Sequence, residues 1–164
     1  LRYLEDVGQR VEGRALGLDV GERWIGVALS DPLGILASPL TRVERTDDET
    51  AVRAIAGLVG KHDAKVVVAG LPYSLDGRIG QQAVRVQEFL RKLSESVRVP
   101  VETWDERLST VAVRRGMSES GMRKGDRKAK VDAAAAALIL QSYLDKLRWE
   151  QTDAQDSGAS AGAG

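Results

Sequence analysis

Residues 14–30 read RALGLDVGERWIGVALS, and this stretch decides the fold. It holds two apolar runs, Arg14–Val20 and Trp24–Ser30, on either side of the short turn 21–23. Such a pattern predicts a β-hairpin. Asp19 lies inside the first run, where a buried carboxylate anion is unfavourable unless it has partners. It is therefore either a candidate functional residue or a strand-end aspartate that hydrogen-bonds the following turn.

Outward from the hairpin, strands and helices alternate along the chain. We predict a strand over Ile35–Val43, a helix over Asp47–Gly60, a strand over Ala64–Gly70, a helix over Gly80–Val97, a strand over Val99–Trp104, a short helix over Ser109–Met117, a basic loop over Met117–Lys130 and a terminal helix over Val131–Trp149. This order predicts an α/β domain with a mixed sheet and helices on its faces. Residues 14–149 form the domain, residues 1–13 an N-terminal extension, and residues 150–164, rich in Gly, Ala, Ser, Asp and Gln, a disordered tail.

Composition excludes several kinds of chemistry. The 164 residues include no cysteine and one histidine, His62. Disulfide scaffolds, thiolate zinc sites and cysteine nucleophiles are excluded, and a histidine-based triad is disfavoured. No stretch resembles a membrane span or a signal peptide, so we expect a cytoplasmic protein without membrane association. Any bound metal must use oxygen ligands.

Charge is balanced overall but not along the chain. The 24 basic and 24 acidic residues give a net charge of zero, yet residues 107–130 hold eight basic and two acidic side chains. Charge runs are usually solvated surface, but this one lies between two groups of candidate acids. It could supply contacts to the phosphates of a nucleic acid.

Two further acidic positions stand out beside Asp19. Asp105 and Glu106 follow the predicted fifth strand, and because successive side chains alternate, only one of the two can face a given side of the sheet. Asp132, in the predicted first turn of the terminal helix, shares a stripe with Ala135, Ala136, Ile139 and Tyr143 that should face the sheet. Stabilisation of Asp132 by the helix dipole would explain its position but not its inward face.

Together these acids could converge on one or two divalent cations. Mg²⁺ and Mn²⁺ prefer hard oxygen ligands, and a pair of ions about 3.5–4 Å apart activates water and stabilises the leaving oxygen in phosphodiester hydrolysis. The loop Gly70–Gly80, between a strand and a helix, either presents backbone N–H groups to a phosphate or is an ordinary turn built on Asp76–Gly77. It lacks the G-K-[ST] ending of a Walker loop.

Six motifs in this order resemble the YqgF (RuvX-like) family, relatives of the RuvC Holliday-junction resolvases in the RNase H-like superfamily. They are GLDVG (17–21), IGVALSD (25–31), GLP (70–72), DERLST (105–110), VDAAA (131–135) and ILQSYLD (139–145). The resemblance implies an RNase H-like fold, with a five-stranded mixed sheet flanked by helices on both faces. It also implies a metal-dependent nuclease that processes the 5′ end of precursor 16S rRNA, or a Holliday-junction resolvase.

Carried over to this sequence, the resemblance makes Asp19, Glu106 and Asp132 the catalytic and metal-binding carboxylates, with Asp105 as the alternative to Glu106. It implies Mg²⁺ or Mn²⁺ as cofactor and a structured or single-stranded rRNA precursor, or branched DNA, as partner of a monomer or homodimer. The basic residues predicted to bind nucleic acid are Arg23, Arg107, Arg114, Arg115, Arg123, Lys124, Arg127, Lys128 and Lys130.

One position departs from the family pattern, and three other functions compete. Trp24 stands where the family commonly has arginine, so either Arg23 takes over a phosphate contact, or Trp24 stacks on a base, or Trp24 is a core residue.

A junction resolvase would have to be a C₂ dimer to cut two strands symmetrically. A non-catalytic RNA-binding assembly factor would tolerate loss of the carboxylates. An actin-like or sugar-kinase ATPase shares the opening strand–Asp–Gly pattern but normally needs two such domains, and we expect room for one.

Overall fold

The computed structural model describes residues 12–73, 76, 78–106 and 124–159. Within these ranges the elements are β1 (Arg14–Val20), β2 (Trp24–Ser30), β3 (Ala37–Glu44), α1 (Asp48–Lys61), β4 (Ala64–Leu71), α2 (Gln81–Ser96), β5 (Val101–Asp105) and α3 (Lys124–Ala159). The predicted hairpin over residues 14–30 is confirmed, because β1 and β2 pair antiparallel.

The five strands form one mixed sheet in the order β3-β2-β1-β4-β5. β2 pairs antiparallel with both β1 and β3, whereas β4 pairs parallel with β1 and β5. The predicted five-stranded mixed sheet is therefore confirmed. β1 lies at its centre, between an antiparallel half and a parallel half, so Asp19 sits in the middle strand.

Each face of the sheet packs against its own helices. Alternate residues of β1, such as Leu16 and Leu18, join the aliphatic core beneath α1 and α2. Ala15, on the other face, joins a second core formed with α3. The prediction of helices on both faces is confirmed, since the period-two alternation of a strand sends neighbouring side chains to opposite cores.

Local signals explain where the first two helices begin. The Asp47 carboxylate caps α1 by accepting a hydrogen bond from the Thr50 N–H at 2.7 Å. That bond lowers the pKa of Asp47. α2 begins after Gly80, and its buried stripe contains Ala83, Val86, Phe89, Leu90 and Leu93. Both helices lie within two residues of their predicted bounds.

The terminal helix differs most from its prediction. α3 begins at Lys124 and ends at Ala159, so residues 124–130, predicted as loop, and residues 150–159, predicted as disordered tail, are helical. Apolar residues recur at helical spacing where a helix is buried, so this pattern ends where α3 extends beyond the sheet. Extending a packed helix requires no new nucleation, so exposed polar residues can continue it. The short helix predicted over residues 109–117 lies outside the described residues.

No helix within the described ranges has the length and apolar character needed to cross a membrane. The long helix α3 packs its apolar stripe on the sheet instead. Gln141 reinforces this packing, because its side-chain amide accepts a hydrogen bond from the Ala37 N–H and donates one to the Ile35 carbonyl oxygen. These bonds tie α3 to the start of β3.

Candidate active site

Asp19 lies between two glycines on the face of the sheet that α3 covers. The antiparallel register puts Gly26 of β2 directly beside Asp19. The parallel register pairs Leu18 with Ala69, so the next residue, Gly70, follows on the other side of Asp19. A strip without side chains therefore flanks this aspartate on both neighbouring strands.

Each of these glycines makes room for one of the other predicted acidic residues. A Cβ added to Gly26 would lie 1.9 Å from the main-chain oxygen of Asp132. A Cβ added to Gly70 would lie 2.8 Å from Oε1 of Glu106 and 2.6 Å from Cδ1 of Ile139. At Gly26 the neighbour is main chain, so a side chain there would require α3 to shift, whereas at Gly70 the neighbours are the ends of two flexible side chains. The fold thus brings Asp132 and Glu106 onto the two glycines beside Asp19.

Asp19 is buried, with 8% of its surface exposed. It is the one charged residue among the buried polar residues of the described chain, the others being Ser30 and Thr103. Removing a carboxylate from water is unfavourable unless partners compensate. Asp19 is therefore a buried carboxylate on the face that α3 covers, and its functional role stays a prediction.

The structure separates Glu106 from Asp105. Trp104, one residue before Asp105, is buried in the core beneath α3. Strand alternation therefore turns Asp105 to the opposite face, whereas Glu106 follows the end of β5 and is placed by its own contacts. The contact between Gly70 and the Glu106 side chain agrees with this assignment. Of the two alternatives left open by the sequence, Glu106 is the one on the Asp19 face.

Asp132 does not lie in the first turn of its helix, so that prediction is wrong. α3 begins eight residues earlier, at Lys124, because the basic segment before Asp132 continues the helix. The dipole of the helix N-terminus falls off within the first turn and does not account for Asp132. The predicted inward stripe is confirmed: Ala135, Ala136, Ile139 and Tyr143 are all buried.

Arg42 is a site residue that the sequence did not reveal. It lies on β3 beside Gly26, and its Nη1 is 3.6 Å from Oδ2 of Asp132. Its guanidinium carbon lies 3.7 Å from the ring centroid of Trp24. Trp24 is half-buried and stacks on this arginine, so the core interpretation of Trp24 is wrong. The β2–β3 register that unites them leaves no local signal in the sequence.

An aromatic contact holds α3 against the far edge of the sheet. Tyr143 donates a hydrogen bond from its hydroxyl to Oε2 of Glu102 and meets the Trp104 ring edge-on at 5.9 Å. Burial first, and then the hydrogen bond and charge of Glu102, raise the pKa of Tyr143 well above its ordinary value of 10.0. The tyrosine therefore stays neutral and serves as a fixed donor between α3 and β5.

Two of the predicted nucleic-acid-binding residues have described side chains. Arg23 is exposed and lies 3.8 Å from Glu44 in an exposed ion pair, and Lys130 is exposed on α3. Arg107, Arg114, Arg115 and Arg123 lie outside the described residues. For Lys124, Arg127 and Lys128 the helical backbone is described but not the side chains. The predicted basic surface stays a prediction.

Two contacts are described in the glycine-containing loop after β4. Tyr73 and Ile79 form an antiparallel bridge, and the Asp76 carboxylate accepts a hydrogen bond from the Arg78 N–H at 3.1 Å. This arrangement agrees with the ordinary-turn interpretation of Asp76–Gly77. Residues 74, 75 and 77 lie outside the described ranges, so the phosphate interpretation of the loop stays a prediction.

The donor chemistry at Asp19 fits a hard divalent cation, but the described side chains do not form a ready cage. Across the described ranges, no group of three or more His, Cys, Asp or Glu side chains is arranged to hold a metal ion. The Asp132 carboxylate instead faces the guanidinium of Arg42. The site brings the acidic residues together while engaging one carboxylate elsewhere.

Comparison with known proteins identifies the family. The sequence profile of RuvX, described as a Holliday junction resolvase, matches residues 13–146. The chain belongs to the RuvX family. RuvX relatives of high similarity come from Clostridium kluyveri, 41% identical over 134 residues, and Roseiflexus sp., 44% identical over 136 residues. These alignments cover 82% and 83% of this chain, and 98% and 96% of the relatives.

Both relatives carry the name "Putative pre-16S rRNA nuclease". Among solved structures, RuvC of T. thermophilus in complex with a Holliday junction substrate superposes with a TM-score of 0.55 at 12% identity. The superposition covers 82% of this chain and 96% of the RuvC chain. This likeness shows the RNase H-like fold that the sequence motifs imply. Family and relatives together make the chain a nuclease, a hydrolase acting on phosphodiester bonds.

Proposed function

We propose that this RuvX-family chain is a divalent-metal-dependent endonuclease that processes the 5′ end of precursor 16S rRNA in the cytoplasm. Support for the reaction comes from the arrangement around Asp19. Support for the substrate comes from the names of the relatives that align over nearly their whole length.

One observation carries the proposal: the two glycines beside Asp19 are the positions where Glu106 and Asp132 approach the sheet. The three residues come from β1, the end of β5 and α3, and are separated by as many as 113 positions in the chain. Residues of three distant elements thus meet beside a buried carboxylate. This arrangement supports a catalytic role for them.

Asp19, Glu106 and Asp132 would hold Mg²⁺ or Mn²⁺, with carboxylate oxygens as the ligands these ions prefer. When bound, the ion supplies activation of water and neutralisation of the charge that develops on the phosphodiester. The protein supplies the setting for this chemistry. Asp19 is buried beneath α3, where electrostatic interactions are stronger than in bulk water.

The rest of the site would position the substrate. Arg23 is exposed on the turn that follows Asp19, and Lys130 is exposed on α3 two residues before Asp132. Cations beside the carboxylates suit the phosphate backbone of an RNA strand. The basic run 107–130 enters the chain between Glu106 and Asp132, so both ends of this run connect to the site.

A second candidate is symmetric cleavage of a DNA junction, favoured by the description of the family profile. The resemblance to RuvC bears on the fold and does not choose between RNA and DNA. Symmetric cleavage of two strands needs a two-fold dimer. Light scattering with junction bound would therefore count against this candidate if the protein remains a monomer, and for it if a dimer forms.

The deciding experiment compares cleavage of a precursor 16S 5′-leader RNA with cleavage of a four-way DNA junction. Each substrate is incubated with purified protein in Mg²⁺, in Mn²⁺ and in EDTA. We expect ion-dependent cleavage of the RNA, and a loss of about a thousandfold in Asp19→Asn, because several kcal/mol of transition-state stabilisation depend on the ion. RNA binding, measured by filter retention, should persist in the variant.

Two controls make the result specific. Asp153→Asn makes the same acid-to-amide change on an exposed part of α3 and should cleave like the wild type. Glu106→Gln should reduce cleavage more than Asp105→Asn, because Glu106 shares the face of Asp19. Retained cleavage in Asp19→Asn would refute the assignment. Tight RNA binding with no cleavage by the wild type would favour the non-catalytic assembly factor.

A further inference from the structure

Arg42 is held by an aromatic ring on one side and an acid on the other. Its guanidinium carbon lies 3.7 Å from the centroid of the Trp24 ring, well inside the distance at which cation–π attraction operates. Its Nη1 lies 3.6 Å from Oδ2 of Asp132. Trp24 and Arg42 come from neighbouring strands, whereas Asp132 comes from α3, so the contact joins the sheet to the helix.

This contact is more sheltered than the nearby ion pair of Arg23 and Glu44. The Arg42 and Asp132 side chains are 21% and 30% exposed, whereas those of Arg23 and Glu44 are 76% and 45% exposed. Partial burial strengthens the attraction because solvent and salt screen it less. Stacking on Trp24 also restricts the arginine, so less rotamer freedom is lost when it pairs with the acid.

The position of Arg42 relates this pair to the active site. Arg42, Gly26 and Asp19 occupy one row across β3, β2 and β1. The main-chain oxygen of Asp132 lies over the middle member of that row, Gly26. A fixed guanidinium therefore engages one of the three candidate metal-binding carboxylates at the border of the site.

We propose that Arg42, held by Trp24, is a positioning residue that keeps the Asp132 carboxylate in an ion pair and thereby lowers the affinity of the site for a divalent cation. This inference rests on the proposed metal-dependent function. The guanidinium competes with the ion for the same carboxylate oxygens, and its positive charge opposes the approach of a second cation. Arg42 thus sets the cation concentration at which the Asp132 carboxylate exchanges its ion pair with Arg42 for the divalent cation.

The test is a titration with Mn²⁺ alone, followed by calorimetry and by the electron paramagnetic resonance signal of free Mn²⁺. Wild type and Asp19→Asn are compared first, which establishes whether Asp19-dependent binding occurs. Arg42→Gln should then bind Mn²⁺ about three- to tenfold more tightly than the wild type, the range expected for losing a partly buried competing pair. A merely structural role would give weaker binding, since a loosened site holds an ion less well.

Three further variants make the titration specific. Arg23→Gln removes the same charge from the turn between β1 and β2 and leaves the partner of Asp132 in place. It should leave Mn²⁺ affinity within twofold of the wild type, because exposed charges are strongly screened. Trp24→Leu should tighten binding less than Arg42→Gln, because the arginine remains but loses its support. Arg42→Lys keeps the charge and should lie between wild type and Arg42→Gln. It also serves if Arg42→Gln fails to fold, as judged by circular dichroism.

The outcomes separate the two proposals. Asp19-dependent binding in the wild type, with unchanged or weaker binding in Arg42→Gln, would overturn the role of Arg42 and leave the metal site standing. An equal gain in Arg23→Gln and Arg42→Gln would also overturn it, because general charge would then account for the effect. Absence of Asp19-dependent binding in the wild type would overturn the metal site and this inference together.

Discussion

The two faces of the sheet are built from different residues. Beneath α1 and α2, β1 contributes Leu16, Leu18 and Val20, which pack in a core of large aliphatic side chains. Beneath α3, the same strand contributes Ala15, Gly17 and Asp19. The side of the sheet beneath α1 and α2, with its large side chains, is the thick face. The side beneath α3, with its small side chains and closely packed helix, is the thin face.

The thin layer lets the helix backbone approach the sheet. A Cβ on Gly17 would lie 2.7 Å from Cβ of Leu140, and one on Gly26 would overlap the main chain of Asp132. Small residues on α3, among them Ala133 and Ala136, complete the close packing. The thick face therefore holds the large aliphatic side chains of β1, and the thin face brings acidic residues of distant elements together.

The strongest test of this division is a methyl group on the thin face. Gly26→Ala must displace the Asp132 carbonyl, 1.9 Å from the new Cβ, so α3 has to shift. We expect the free energy of unfolding to fall by about 1–3 kcal/mol, as for other overpacked sites, together with a marked loss of cleavage. Urea denaturation and the RNA cleavage assay measure the two effects.

The matched control for Gly26→Ala is Gly57→Ala on the exposed side of α1, where an added Cβ would meet nothing within 4 Å. There the methyl group should stabilise the protein by about 0.5–1 kcal/mol, because alanine favours the helix over glycine, and leave cleavage unchanged. Similar effects in the two variants would show that the close approach at Gly26 is not needed.

A smaller effect is expected from the thick face. Ile55 of α1 is fully buried, and Ile55→Val removes one methylene from the core beneath α1 and α2. The free energy of unfolding should fall by about 0.5–1.5 kcal/mol. The cleavage rate at 25 °C should not change, since the variant remains folded. A drop in cleavage as large as that of Gly26→Ala would remove the functional distinction between the faces.

The smallest expected effect concerns the loop between β2 and β3, at the edge of the sheet. Asp31 accepts hydrogen bonds from the N–H groups of Leu36 and Ile35, at 2.9 and 2.7 Å, and these bonds lower its pKa below the ordinary value of 3.8. The folded state therefore favours the carboxylate. Its contribution is present at neutral pH and is lost as the pH falls below the unfolded value and through the folded pKa.

In Asp31→Asn the side chain no longer titrates, but it keeps one oxygen that can accept a hydrogen bond. The wild type should be more stable than the variant near neutral pH, and the difference should shrink as the pH falls below about 4. Urea unfolding at a series of pH values measures this difference. A constant difference across the series would mean that the charge of Asp31 does not stabilise the loop.

Much of the fold could be predicted because its signals are local. The hairpin follows from two apolar runs around a short turn, and the buried strand β4 contains the run Val66, Val67 and Val68. The inward face of α3 follows from the spacing of Asp132, Ala136, Ile139 and Tyr143. Each of these predictions uses residues within a few turns of one another.

The site was predicted less completely because its contacts are not local. The sequence left Asp105 and Glu106 as alternatives. An error of one residue in the position of the strand reverses which of two neighbouring side chains faces the site. It placed Asp132 in a first turn because the start of α3 lacks an apolar signal. It missed Arg42, whose importance depends on the register between β2 and β3.

The amino-acid sequence by itself restricted the ligands that a metal could have and divided the side chains of β1 between the two faces. With no cysteine and one histidine, oxygen ligands are what remain for a metal, and alternation of large and small residues assigns each side chain of β1 to a face. The tertiary structure decided which acid approaches which glycine, and that Trp24 and Arg42 meet Asp132. Strand register and helix docking make these choices, because they depend on packing energies between residues as much as 108 positions apart rather than on local conformational preference.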